Sequence, residues 1–156
     1  MKLTPHSRDA DPGPGASESS APAGSGAASA GRGLSILYAE EASAVAGAVK
    51  ETLEAEGWRV EVFARGDEAL RRLAGGARFD LLILDHPLPG LDGVELARRA
   101  RRLPQAARTP IIMFTACEVE REARAAGVDA YLRKPRGVYS LVATAALLLA
   151  QQGTRE

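Results

Sequence analysis

The sequence predicts an α/β sandwich, a parallel sheet covered by helices on both faces. Three observations carry that reading. From Leu34 onward, short apolar runs alternate with helical stretches five times, and alternation of that kind means parallel strands joined by crossover helices. Two runs, FDLLILD and PIIMFT, are continuously apolar, as strands buried on both faces are. The helical stretches carry an apolar stripe, and several are closed by glycine, the residue suited to the left-handed position after a helix.

Each element has its own signal. LSILYA opens the fold as a buried strand. SAVAGAVKETLEAEG follows as a helix, with Val45, Val49 and Leu53 as its stripe and Gly57 just past its end. WRVEVF alternates and reads as the second strand, and GDEALRRLAGG is a short helix ending in glycines. FDLLILD is the third strand. DGVELARRARRL is a helix with Asp92 as its N-cap. PIIMFT is the fourth strand, EVEREARAAG a short helix ending at Gly127, and VDAYLRKP a short strand stopped by proline. VYSLVATAALLLAQQ is the final helix, richer in apolar residues than the others. About 120 ordered residues suffice for one such sandwich with a real core.

Ahead of these elements, residues 1–33 are mostly Ala, Gly, Ser and Pro. They have too little to bury to offset the entropy of ordering, so the expected organisation is a disordered tail, 1–33, and one domain, 34–152. Twenty basic residues balance 20 acidic ones, which argues against a strong, sequence-independent grip on nucleic acid. The single cysteine, Cys117, allows no intrachain disulfide and fits a reducing compartment. No stretch approaches the roughly 20 apolar residues of a membrane span, and no secretory leader is visible. The expected location is cytoplasmic.

The polar residues fall at the strand ends. The first strand ends at Glu40 and Glu41, the third at Asp85, the fourth at Thr115, and the fifth just before Lys134. In open α/β sheets, ligands bind outside the carboxyl ends of the strands. Three carboxylates there exceed what one lysine neutralises, and like charges about 4 Å apart repel by roughly 4 kcal/mol at a surface-like dielectric. A hard cation such as Mg²⁺ would relieve them. A hydroxyl and an ammonium suit the oxygens of a transferred phosphoryl group, and a carboxylate can act as its nucleophile.

ILYAEE, LLILDHPLPGLDG, TPIIMFTA and YLRKP, in this order and spacing, resemble the response-regulator receiver domain of two-component signalling. The resemblance covers essentially everything from Leu34 onward. It implies a flavodoxin-like three-layer sandwich with a five-stranded parallel sheet in the order 2-1-3-4-5 and five helices. It implies Asp85 as phosphoacceptor, and Mg²⁺ held by Glu40, Glu41, Asp85 and the main-chain carbonyl of Pro87. Thr115 and Lys134 would hold the phosphoryl group, Lys134-Pro135 would be cis, and Tyr131 would move inward with Thr115. The implied donor is a histidine kinase or histidine phosphotransferase. The implied output is a changed protein-binding face for a downstream target, with no direct nucleic-acid or membrane contact and a homodimer as one option. No output domain follows the fifth helix. The chemistry is self-catalysed phosphoryl uptake and loss, not enzymatic turnover.

Three positions depart from the family pattern. Glu41 stands where Asp is usual, Thr115 to Lys134 is a few residues short around the fourth helix, and Arg136 follows the Lys-Pro pair. Glu41 motivates the alternative, a phosphorylation-independent, receiver-like binding module. An enzyme with a bound nucleotide is disfavoured, because AEEASAV replaces a glycine-rich phosphate loop. Among the remaining residues, His86 reads as a loop residue shaping access, and Cys117 as one tuning dephosphorylation. Tyr131 reads equally as core packing or switch. The run RRARR, 98–102, reads as a solvated helix face balanced by Glu95.

Overall fold

The computed structural model describes residues 33–153. The tail expected over 1–33 therefore lies, but for Gly33, outside the described residues. Strands and helices alternate: β1 (Ser35–Ala39), α1 (Ser43–Glu54), β2 (Arg59–Phe63), α2 (Gly66–Ala74), β3 (Leu81–Leu84), α3 (Gly93–Ala100), β4 (Ile111–Thr115), α4 (Glu120–Ala125), β5 (Ala130–Arg133) and α5 (Val138–Gly153). Every strand pairing is parallel, and the order is β2-β1-β3-β4-β5. The fold is the one the sequence predicts.

The three central strands are buried on both faces, and their side chains divide by the two-residue period of a strand. Leu37, Ala39, Leu82, Leu84, Ile111 and Met113 face a core closed by α2, α3 and α4, through Leu73, Leu96, Ala97 and Ala123. Ile36, Tyr38, Leu81, Ile83, Ile112 and Phe114 face the opposite core, closed by α1 and α5. That second core receives Ala46, Val49 and Leu53 from α1, and Leu141, Ala145 and Leu149 from α5. The stripe of α1 differs from expectation by one residue. Ala46 packs inward and Val45 is 37% exposed, because a spacing of strictly four residues drifts around a helix of 3.6 residues per turn.

Local signals act as the sequence predicts. Gly57 and Gly127 have φ of +91° and +98° after α1 and α4. Asp92 caps α3, its Oδ1 accepting the Glu95 N–H at 2.9 Å. Asp80, just before β3, accepts the Ser35 N–H at 2.8 Å and so fastens the start of β1.

Strand register sets up the site. Ala39 lies opposite Leu84, so Glu40 and Asp85 leave the sheet side by side, and the Asp85 N–H donates to the Ala39 carbonyl at 3.0 Å. Thr115 lies opposite Arg133, and the next residue, Lys134, donates its N–H to the Thr115 carbonyl at 2.9 Å.

Candidate functional site

Strand β3 supplies Asp85 as its next residue, and the loop that follows holds it in place. Asp85 Oδ1 accepts the His86 N–H at 2.7 Å. The chain then folds back so tightly that a Cβ on Gly93 would lie 2.0 Å from the Asp85 carbonyl oxygen, which leaves glycine as the residue that fits. The Gly93 N–H donates to the His86 carbonyl at 2.9 Å, closing the loop. A second close approach fastens the loop to α2, where a Cβ on Gly66 would lie 1.8 Å from the Leu91 carbonyl oxygen. The turn residues of HPLPGLDG are thus used to fix the carboxylate.

Three of the predicted site residues meet directly. Glu40 is 3% and Asp85 6% exposed. Lys134 Nζ donates to Asp85 Oδ2 at 2.9 Å and also to Glu40 Oε2. Glu40 is held further by the Ala42 N–H at 3.0 Å and by the Tyr38 hydroxyl at 3.4 Å. The Lys134 ammonium also lies over the Phe114 ring, 5.1 Å from its centroid, a favourable cation–π placement. Burial by itself would lower the pKa of Lys134; the hydrogen bonds to Glu40 and Asp85 outweigh it and hold the ammonium above the ordinary lysine value. Burial pushes the Tyr38 phenol far above its ordinary range, and the nearby charges of Glu40 and Asp85 add to that. Two carboxylates against one ammonium leave one negative charge uncompensated in this nearly dry site.

The other predicted residues are placed differently. Glu41 is exposed at the start of the loop after β1. Among the described residues, no three His, Cys, Asp or Glu side chains gather as a ligand cluster. Thr115 is fully buried, and its Oγ accepts the Cys117 N–H at 3.2 Å. The half-buried Tyr131 donates its hydroxyl proton to the Cys117 carbonyl and accepts the Val119 N–H at 3.1 Å. Tyr131 therefore fastens the β4–α4 loop two residues past Thr115. The peptide bond between Lys134 and Pro135 is cis. His86 lies in the loop, its Nδ1 buried and 3.8 Å from Asp92 Oδ1.

The arginine run corrects its sequence reading in part. Arg98 and Arg99 pair with Glu95, the latter at 3.0 Å, on the outer face of α3. Arg101, however, turns inward across the end of α3. It donates to the carbonyls of Gly127 at 2.8 Å and Thr109 at 2.6 Å, and to Asp129 at 2.8 Å. It is a brace between α3, β4 and β5, and no residue spacing in the run separates it from its solvated neighbours.

Sequence reasoning missed Tyr38 and Phe114 as parts of the site. A signal existed for both. Tyr38 precedes Glu40 by two residues, and two-residue spacing along a strand puts side chains on one face. Phe114 directly precedes Thr115.

Residues 36–146 match the response regulator receiver domain. The chain belongs to that family. This receiver is 43% identical, over 117 residues, to the phosphate regulon transcriptional regulatory protein PhoB of Rhizobium meliloti; the match covers 73% of this chain and 51% of PhoB. It thus spans about half the length of that relative, and the match to the cyclic di-GMP phosphodiesterase response regulator RpfG of Xanthomonas campestris covers 28% of RpfG. Among solved structures, a CheY-like receiver domain protein from Methanospirillum hungatei superposes with a TM-score of 0.72 at 29% identity, covering 80% of this chain and 99% of that one. The receiver domain of the Pseudomonas aeruginosa sensor histidine kinase PA1611 superposes with a TM-score of 0.69 at 30% identity, covering 76% and 98%. That structure holds a magnesium ion coordinated in its active site cleft. Receivers of this family serve two-component systems, and phosphorylation with Mg²⁺ is typical of them. Among the described residues, no helix is long and apolar enough to cross a membrane.

Proposed function

We propose that this receiver accepts a phosphoryl group on Asp85 from a histidine kinase or histidine phosphotransferase and signals through its α4–β5–α5 face. One observation carries the reading. A nearly solvent-free carboxylate stands at the tip of the central strand, with the Lys134 ammonium 2.9 Å away. In the transfer, an Asp85 oxygen forms a bond to phosphorus while the phosphorus–nitrogen bond of a phosphohistidine breaks. The bonding pair leaves on the imidazole, which takes up a proton from solvent. The reaction is uptake and later hydrolytic loss of that group, without turnover of a separate substrate.

The donor set fits Mg²⁺, since its side chains and carbonyl offer hard oxygens and the trio of Glu40, Asp85 and Lys134 retains one net negative charge. Glu40, Glu41, Asp85 and the Pro87 main-chain carbonyl would hold the ion. When bound, it supplies positive charge against the phosphoryl oxygens. The chain's own residues do the rest. Lys134 already donates to Asp85 and would take a phosphoryl oxygen. Thr115 would offer its hydroxyl to another. Phosphorylation replaces a single negative charge by about −1.5 to −2. Thr115 drawn toward that charge gives up its bond to the Cys117 N–H, and Tyr131, held on the Cys117 carbonyl, moves with the same loop. A switch from 1:99 to 99:1 requires about 5.5 kcal/mol of bias between the two states. The proposed functional unit is residues 34–152, acting in the cytoplasm, with protein rather than DNA as its direct target.

Intact-mass spectrometry after incubation with Mg²⁺ and a small-molecule phosphodonor tests this. The expected result is one phosphoryl group on the wild type and none on Asp85→Asn. Equal labelling of both would overturn the assignment.

The exposed Glu41 favours a second reading, a binding module that works without phosphorylation. It predicts unchanged amide NMR spectra on addition of Mg²⁺, and shifts confined to residues around Asp85 would sink it.

A further inference from the structure

The outer face of α5 is unlike the rest of the surface. Among the described residues, the exposed large hydrophobics are Val45, Val138, Tyr139 and Leu147, and all but Val45 lie on this helix. Tyr139 is 89% and Leu147 58% exposed. No residue from Val138 to Gly153 carries a charge, whereas α2, α3 and α4 each present arginines and acidic residues. The inward side of α5 is already used by Leu141, Ala145 and Leu149. Tyr139, Ala143, Ala146, Leu147 and Ala150 are all exposed, and at about 100° per residue they form one stripe on the opposite side.

We propose that this stripe pairs with the same stripe of a second copy of the chain, as two antiparallel α5 helices about a two-fold axis. Two features favour a second copy over a different protein. A two-fold interface places each side chain near its own counterpart, so a charged helix would meet like charge, while this one meets none; the chain's formal net charge is also zero. The stripe is also complementary to its own reversal. With the axis between Ala143 and Ala146, Leu147 of one copy meets Ala143 of the other, and Tyr139 meets Ala150. Each large side chain then faces a small one, and the alanines permit close helix approach, near the 8–10 Å of packed helices. A helix of this length is about 24 Å long. Alone it covers less than the ~800 Å² per partner of a standard stable interface, so the dimer is weak and reversible.

Sedimentation velocity of the full chain from about 10 µM to about 1 mM tests this. The wild type should rise from the 16.4 kDa monomer toward twice that mass as concentration increases. Leu147→Glu and Tyr139→Glu should stay monomeric with unchanged thermal unfolding, because both side chains are exposed in the monomer. Val45→Glu, on α1, should associate as the wild type does. In a Cys117→Ser background, Ala146→Cys should oxidise to a disulfide dimer and Thr52→Cys, on α1, should not. A wild type that stays monomeric throughout leaves the face to some other partner and overturns the proposal. So does association that survives both glutamate variants, or that Val45→Glu also abolishes.

Discussion

At the carboxyl end of the sheet, Glu40 and Asp85 share Lys134 almost out of solvent; on the flank of edge strand β2, Glu61 and Arg72 form a two-pronged pair with both side chains about half exposed. The hydrogen bonds are equally good in the two places. Lys134 reaches Asp85 at 2.9 Å, and both Arg72 contacts to Glu61 are 3.1 Å. What differs is the medium. Water and salt screen the Arg72 pair, and such pairs contribute little to stability. Around Asp85 there is little water to screen anything, and one lysine is set against two carboxylates. The same chemistry is structural ornament in one region and, in the other, a store of uncompensated charge that an incoming cation or phosphoryl group can act on.

The contrast can be broken or sharpened by substitution. The strand that delivers Asp85 sets the scale: Ile83→Ala, at a fully buried position, should cost about 2–5 kcal/mol in urea unfolding. Next comes Lys134→Met. It leaves Glu40 and Asp85 facing each other without their shared donor, and should cost about 2 kcal/mol in the same measurement. A cost indistinguishable from zero would mean that solvent screens the site as it screens Arg72. Asp85→Asn should act in the opposite sense and give a protein at least as stable as wild type, because Glu40 and Lys134 then balance. A clear loss of stability in that variant would refute the excess-charge account.

The pH dependence follows from Lys134 and Tyr38. Both have pKa values raised in the folded state. A raised value means the folded protein holds its proton more tightly than the unfolded chain does. The stabilisation is therefore fully present below the unfolded values, near pH 10, and is lost as pH rises beyond them. Urea midpoints should hold level from these two groups across the neutral range and fall above about pH 10, and Tyr38→Phe should soften that fall. The smallest effect is expected from Arg72→Ala, whose midpoint should coincide with the wild type at moderate salt; a shift as large as that of Lys134→Met would erase the distinction between the two regions.

The strand ends were legible because each polar residue closes an apolar run. Asp85 after LLIL, Thr115 after IIMF and Lys134 before a proline stand out against their neighbours in the sequence. Tyr38 and Phe114 did not, since an aromatic inside a buried strand reads as packing. Arg101 could not be told from Arg98, Arg99 and Arg102, because its partners are main-chain carbonyls from segments distant along the chain. Val45 was misplaced on α1, where an alanine one residue on had the better angle to the sheet.

By itself the sequence determined the alternation of strands and helices, the turn glycines, the cap at Asp92 and which residues would stand at the strand tips. Those are local matters of periodicity, backbone freedom and hydrogen-bonding valence. Only the tertiary structure decided that Lys134 joins Glu40 to Asp85, that Glu41 stands outside that group, that Tyr131 fastens the loop after Thr115, and that the uncharged side of α5 faces outward. Each of these depends on strand order and register, which bring together residues as far apart in the chain as Glu40 and Lys134.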